Sequence, residues 1–311
     1  MKIFLLFIFW GLWFLNFSTR TVLSPLLPII EQELALSHAL AGSLFLYMSV
    51  GFTVSVFMAG WISHHIGYKR SIVSGVMVLV VALVGFRYAE TYYAFAAASF
   101  LIGIGAGIYL PCAIPLITSL FSRDTWGKAI GIHETAASSS FLAVPLVVAF
   151  TLRFYQWKTL FILLSGACGI VIILFWVLAP DPRPRTEKRG RYAAVLRQRD
   201  FWLITVLWVF AAMASAGIYN IIPLFLVTEK GVQVEAANTI FGISRIGGLF
   251  ATILTGFVLD RIAVKKILFV VLFITGISTM GMALAPVFWL LVVMLILQAT
   301  VSVAFFPTAI T

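Results

Sequence analysis

Charge is what this chain has least of. Lys, Arg, Asp and Glu make up 10% of its 311 residues, where a soluble globular domain carries roughly 25%. With 62% of the residues hydrophobic, too little polar surface remains for a soluble enzyme, a secreted domain, a disordered region or a coiled coil. Acid is scarcer than base, 11 residues against 21, for a net charge of +10. In a soluble protein that surplus would point to nucleic acid. Here seven of the basic residues fall between Arg183 and Arg199 and most others sit in short loops between apolar runs, so no nucleic-acid partner is expected. Cysteine is nearly absent. Cys112 and Cys168 lie in separate apolar runs without CxxC spacing, which excludes a disulfide framework and leaves them as packing residues. The N-terminal apolar run has no small-residue cleavage site and continues through Pro25 and Pro28, so it reads as a spanning helix and not as a signal peptide.

What the chain has is long apolar runs. Ten can be marked, at 4–30, 37–62, 71–88, 92–118, 129–151, 158–179, 201–228, 236–259, 267–285 and 288–311. Their unbroken length suits helices, because barrel strands would be about 10 residues long and alternating. The expected fold class is all-α polytopic membrane protein. With the N-terminus cytoplasmic, the loops place fifteen basic residues inside and four outside, the asymmetry that orients multi-pass proteins. The polar stretch 180–200 follows six spans and reads as a cytoplasmic linker between a bundle at 1–179 and a second at 201–311. A shift of 196 residues carries Gly51 onto Gly247, Gly60 onto Gly256, Lys69 onto Lys265 and Pro111 onto Pro307, so the second bundle reads as a repeat of the first. On that pattern the chain stops in the fourth span of the second half, and a parent sequence with two further spans is expected.

Between the second and third spans stands Gly60-Trp-Ile-Ser-His64-His65-Ile-Gly67-Tyr-Lys69-Arg70, repeated as Gly256-Phe-Val-Leu-Asp260-Arg261-Ile-Ala-Val-Lys265-Lys266. With the six-plus-six layout and long central linker, these segments resemble the major facilitator superfamily of secondary transporters, whose motif there is G-x-L-x-D-R-x-G-R-K. The resemblance implies two six-helix bundles rocking about a central cavity, no cofactor, and a monomer in the cell (inner) membrane. It also implies a gating role for Gly60, His64, Gly67, Lys69, Arg70, Gly256, Asp260 and Arg261. In the first copy His64 and His65 replace the family's Asp and Arg, and a residue that changes charge near neutral pH would hold that gate less firmly. Drug antiporters of the superfamily carry an Arg in the fourth helix and Gly-Pro in the fifth. Ser99 and the run Ser138–Pro145 stand there instead. Arg20, eight residues before Pro28, is similar to the first-helix Arg of phosphate-ester antiporters and related organic-anion permeases; the seventh-helix Arg of the phosphate-ester antiporters has no counterpart, Ser215 standing near there, and the second Arg is Arg245 in the eighth span.

Two basic residues, Arg20 and Arg245, fall inside spans. A lipid-facing Arg at mid-span costs about 2.5 to 3.5 kcal/mol on the gentlest scale, so both should point inward. Both lie within about 5 Å of the midplane at 1.5 Å per residue, where carriers of this architecture bind substrate. They are the candidate substrate-binding residues. The bland reading is a structural Arg paired to carbonyls or to a carboxylate. Glu134 is the acid well inside a span, preceded by His133; the run lacks the second His of HExxH, and proton coupling and a static gate network are both open readings. Gly103-Ile-Gly105-Ala-Gly107 sits mid-helix without a preceding strand and reads as close helix packing and not a dinucleotide loop. Trp10, Trp13, Tyr92, Tyr93, Trp157 and Trp289 fall near expected interfaces and read mostly as anchors.

The expected function is secondary transport of a small organic or inorganic anion by proton symport or anion exchange, with lipid and protons as further partners. A drug/proton antiporter and a transporter-like sensor or non-transporting remnant are the alternatives. An enzyme is not expected, because no span pairs a nucleophile with a base.

Overall fold

The computed structural model of the chain describes residues 2–181, 196–259, 262–305 and 308. Regular structure among them is helical: α1 Lys2–Thr21, α2 Leu23–Glu33, α3 His38–Ile66, α4 Tyr68–Tyr88, α5 Tyr92–Gly107, α6 Tyr109–Leu120, α7 Trp126–Leu152, α8 Thr159–Leu178, α9 Arg199–Ala212, α10 Ile218–Thr228, α11 Val234–Ile243, α12 Ile246–Leu259, α13 Val264–Leu284 and α14 Phe288–Ser302. Eight stretches among the described residues are long and apolar enough to cross a bilayer, with α1–α2, α5–α6 and α9–α10 each counting as one. Each of the ten apolar runs is helical over most of its described residues. The fold is thus all-α and polytopic, the form in which backbone groups satisfy one another without water.

The chain divides into two compact units, Met1–Arg185 with Pro223–Asn238, and Thr186–Ile222 with Thr239–Thr311. The expected linker at 180–200 lies largely outside the described residues, as do Asp260 and Arg261 of the second motif copy.

The first unit owes its tight centre to glycine. A Cβ on Gly103 of α5 would strike the Met48 carbonyl of α3, and one on Gly107 would come within 2.6 Å of the Phe52 carbonyl. Gly75 of α4 and Gly105 of α5 face each other's carbonyls at 2.8 and 2.6 Å by the same construction. With no Cβ the backbones touch, and dispersion between helices takes the place of a hydrophobic effect that lipid cannot supply. Ser55 Oγ on α3 donates to the Ile104 carbonyl at 2.5 Å across the same seam. Cys112 and Cys168 are buried, free thiols, consistent with packing roles. Within this unit Asn238 Nδ2 donates to the Pro25 carbonyl at 3.1 Å.

The second unit repeats that contact register. Gly51 of α3 packs on Phe100 and Ile104 of α5, and Gly247 of α12 packs on Thr300 of α14; a shift of 196 residues turns Gly51 and Ile104 into Gly247 and Thr300. One register later the small residue changes sides. Gly107 faces Phe52 in the first unit, while in the second Gly248 faces Val303.

Four spans are interrupted near their middle, and local chemistry accounts for two of them. Pro25 has no N–H for the Thr21 carbonyl and Pro111 none for that of Gly107, and the helices break at Val22 and Ile108. The seventh span passes through a π-helical segment, Met213–Gly217, where Gln298 Nε2 donates to the Ala214 carbonyl at 2.6 Å. The run expected as one span at 236–259 is two helices, α11 and α12, parted at Ser244–Arg245.

Candidate functional site

Arg20 stands in the last turn of α1, two residues before the break at Val22. Residues 13, 16, 17 and 20 share one helical face, and the structure uses that face. The Arg20 guanidinium carbon lies 4.1 Å from the centroid of Phe17, 5.0 Å from that of Phe52 on α3 and 5.9 Å from that of Trp13. No carboxylate within ion-pair distance of Arg20 is found among the described residues. Its Nε and Nη2 are shielded from solvent and have no acceptor. Each cation–π contact contributes about 0.5 to 2 kcal/mol; together they hold a charge that hydrocarbon would otherwise expel, and they leave its donors unspent.

Arg245 occupies the break between α11 and α12, 7% exposed. Its guanidinium carbon lies 4.8 Å from the Tyr219 centroid and 5.0 Å from that of Phe241, one helical turn earlier. Again Nε and Nη2 are buried without an acceptor. Arg245 immediately precedes α12, whose N-terminus carries the positive end of the helix dipole, and its carbonyl accepts from the Gly248 N–H at 3.1 Å.

The His133–Glu134 pair sits on α7 against α1 and α6. His133 is fully buried, its Nδ1 3.0 Å from Glu134 Oε1 and its Nε2 3.0 Å from the Tyr109 hydroxyl. That hydroxyl also reaches the Phe9 carbonyl at 2.8 Å. Tyr109 has one proton and two acceptors for it. If it donates to Phe9, the contact with His133 requires an N–H on Nε2; with Nδ1–H on Glu134 the ring is then an imidazolium. If it donates to His133, the ring is neutral. The contacts thus allow two hydrogen-bonded arrangements of Tyr109, His133 and Glu134.

Trp13 touches both this hydrogen-bonded group and Arg20. Its indole N–H donates to Glu134 Oε2 at 3.3 Å, and its ring stacks on Tyr109 and His133 at 5.2 and 5.6 Å between centroids. Trp13 is 4% exposed, so it is a core residue and not the interface anchor expected of it. Its neighbour Trp10 donates to Thr135 Oγ1 at 2.9 Å.

The motif residues lie apart from both arginines in sequence, around the turn from α3 to α4. Gly67 has φ +86°, a conformation that favours glycine, and closes α3 through its N–H to the Ser63 carbonyl. Lys69 donates to the Ala179 carbonyl at 2.7 Å, beyond the end of α8, and lies over Trp176 at 5.1 Å. His64, His65 and Arg70 are exposed, and His65 bonds the Trp61 carbonyl through Nδ1 at 2.8 Å. Gly60 has open space where a Cβ would stand. No metal-ligating cluster of His, Cys, Asp and Glu is found among the described residues.

The partners of these side chains were not singled out from sequence. Trp13, Phe17 and Arg20, and Phe241 and Arg245, carry a usable signal in their spacing of three or four residues. Phe52, Tyr109 and Tyr219 carry none, because only helix packing brings them in.

Comparison with known proteins places this architecture. The protein TsgA from Salmonella newport (strain SL254), and its counterpart from Salmonella typhi, are 25% identical to the chain over 249 residues, 75% of the chain and 62% of the relative. The chain thus spans about three fifths of the length of the curated relatives it matches. Among solved structures, a bacterial homologue of the human lysosomal transporter Spinster superposes with a TM-score of 0.81 at 17% identity, covering 99% of this chain and 74% of that one. The D-xylose-proton symporter gives 0.80 at 16% identity, covering 98% and 80%, and the nucleoside transporter NupG 0.77 at 17%, covering 98% and 81%. These neighbours are transporters, not enzymes. The family model for the Major Facilitator Superfamily matches residues 9–311, and the chain belongs to that superfamily.

Proposed function

We propose that the protein is a secondary transporter of a small anion, working by alternating access as a monomer in the cell membrane with its N-terminus cytoplasmic. The observation that carries this reading is the pair of buried guanidiniums, Arg20 and Arg245, each with Nε and Nη2 unpaired and no carboxylate partner among the described residues. Burying a charge without a counterion is costly. A structural arginine would be expected to satisfy its donors on carbonyls or acids, and an incoming anion supplies what these two lack. Each stands at a break in its span, where helix ends add dipoles of matching sign for an anion at α12. His133 and Glu134, with Tyr109, serve as the proton relay, and Trp13 couples it to Arg20. The motif around Gly60, His64, Gly67, Lys69 and Arg70, with Gly256, Asp260 and Arg261 in the second copy, acts as the gate between bundles at 1–179 and 201–311 joined by 180–200. Lys69, tied to the end of α8, is its anchor in the first copy.

The test is uptake by proteoliposomes of labelled carboxylates, phosphate and sulfate, with and without a pH gradient, alongside neutral xylose. Anion uptake that Arg20→Lys and Arg245→Lys reduce supports the reading. Uptake of the neutral sugar with no anion transported overturns it.

A further inference from the structure

Where α1 and α7 begin, on the side of the membrane that holds the N-terminus, the two helices leave between them a groove of about 270 Å³. Hydrocarbon lines most of it. Leu6 and Ala129 are buried along it, while Ile3, Phe7 and Ile132 are exposed. Phe121, just past the end of α6, adds an aromatic wall, and hydrogen bonds fix that wall in place. The Trp126 indole N–H donates to the carbonyls of Thr118 and Phe121 at 2.9 and 3.0 Å, which folds the turn between α6 and α7 back on itself. Thr125 also lines the groove, but its hydroxyl is spent on the Ser122 carbonyl at 3.0 Å.

The polar group left on the lining is the ammonium of Lys128, exposed and without an ion-pair partner among the described residues. Two further cations flank the groove. Lys2 precedes Ile3, and Arg123 stands two residues after Phe121, with its guanidinium carbon 5.7 Å from the Trp126 centroid; both are exposed. Of the acids near these residues in sequence, Glu134 is engaged by Trp13 and His133, which leaves Asp124 against three cations.

We propose that this groove binds an anionic glycerophospholipid, one acyl chain lying along the apolar lining and the phosphodiester on Lys128, with Lys2 and Arg123 beside it. The reading is independent of the anion reading above and uses neither buried arginine. Water in the groove would find few hydrogen-bond partners, so an apolar filler is favoured. A neutral chain would leave the ammonium without a counterion, and free phosphate would leave the hydrocarbon uncovered. A lipid with an anionic head satisfies both, and the bilayer supplies it next to the groove. Basic sites at the ends of spans recognise lipid heads in this way, each Lys or Arg near the surface contributing about fivefold in affinity.

The test is native mass spectrometry of the purified full chain titrated with dioleoyl phosphatidylglycerol, with dioleoyl phosphatidylcholine and with inorganic phosphate. One phosphatidylglycerol per chain should bind about tenfold more tightly or better than phosphatidylcholine, whose acyl chains are the same. Lys128→Gln should weaken phosphatidylglycerol about fivefold and leave phosphatidylcholine unchanged. Lys230→Gln, at an exposed lysine outside the groove, should change neither. The comparison of lipids on the parent chain stands even if a variant does not fold. Equal binding of the two lipids overturns the proposal, as does an equal loss in Lys128→Gln and Lys230→Gln, which would mean diffuse surface charge. Inorganic phosphate binding as tightly as phosphatidylglycerol would make the site one for a free anion and also overturns it. A lipid-free dimer in the same spectra would give the groove to a second copy of the chain, with the same consequence.

Discussion

Among the described residues Arg20 is held by rings and not by an acid, and one of those rings also touches the proposed relay of His133 and Glu134. Trp13 donates its indole N–H to Glu134 and lends its face to Arg20, so Trp13→Phe separates the two roles. The phenyl ring keeps an aromatic face beside Arg20 but has no N–H, and Glu134 loses a partner worth about 1 kcal/mol given its partial exposure. Anion binding measured at fixed pH should change less than threefold, while the dependence of uptake on a pH gradient should weaken; an unchanged gradient dependence would remove Trp13 from the coupling. Tyr109→Phe removes the one proton that chooses between Phe9 and His133 and leaves the stacked ring in place. We expect the variant to fold, with a stability loss of about 1 kcal/mol, and to flatten the pH profile of uptake. A profile identical to the parent's would make the relay a static network. At this scale the sequence exposed the charges, since an arginine inside a hydrophobic run is visible by inspection. It did not expose their partners. Phe52 lies 32 positions from Arg20 along the chain and Tyr219 lies 26 from Arg245, and no periodicity links residues on different helices.

The interrupted spans, α1–α2, α5–α6, α9–α10 and α11–α12, are where local and tertiary effects meet. Their apolar length marks each as a span, and the interruptions at Val22 and Ile108 follow from Pro25 and Pro111, which withhold N–H groups from the carbonyls four residues earlier. The break at Ser244–Arg245 has no proline behind it, and the sequence read 236–259 as a single span. Gly242, Gly247 and Gly248 surround the break and lower the helix propensity there, and Thr300 of α14 and Val303 just beyond its end crowd the positions where side chains at 247 and 248 would stand. Packing therefore decides that break. The glycine seam of α5 gives the sharpest test at this scale. Gly103→Ala puts a Cβ against the Met48 carbonyl, a backbone atom that cannot swing aside, and overpacking of this kind costs about 1 to 3 kcal/mol. The thermal midpoint of the purified protein should fall by several degrees, whereas Gly166→Ala on α8, where a Cβ meets open space, should leave it within error. Equal effects at the two positions would mean that the α3–α5 seam has slack.

For the molecule as a whole, the distribution of basic residues makes a claim about sidedness that labelling can check. With Cys112 and Cys168 buried, a cysteine placed at Tyr155, an exposed residue in the turn between α7 and α8, should react with an impermeant maleimide from outside intact cells. One placed at Arg189, in the basic stretch outside the described residues, should react only after the membrane is opened. Labelling of both from the same side would refute the orientation drawn from fifteen inside charges against four. Composition and run length were enough to determine that the chain is helical, polytopic and internally repeated, because the cost of exposing backbone amides or charge to lipid leaves hydrocarbon-length apolar helices as almost the only solution. The repeat was legible because Gly51 and Gly247 answer to the same packing demand. The sequence likewise placed Arg20, Arg245, His133 and Glu134 inside spans. Only the tertiary structure decided that each guanidinium lies against aromatic rings with Nε and Nη2 unpaired among the described residues, and that Trp13 is a core residue touching both Arg20 and Glu134. The physical reason is that burial of a charge is a property of one position and its span, whereas what satisfies that charge is set by helix packing, which joins residues the chain keeps far apart.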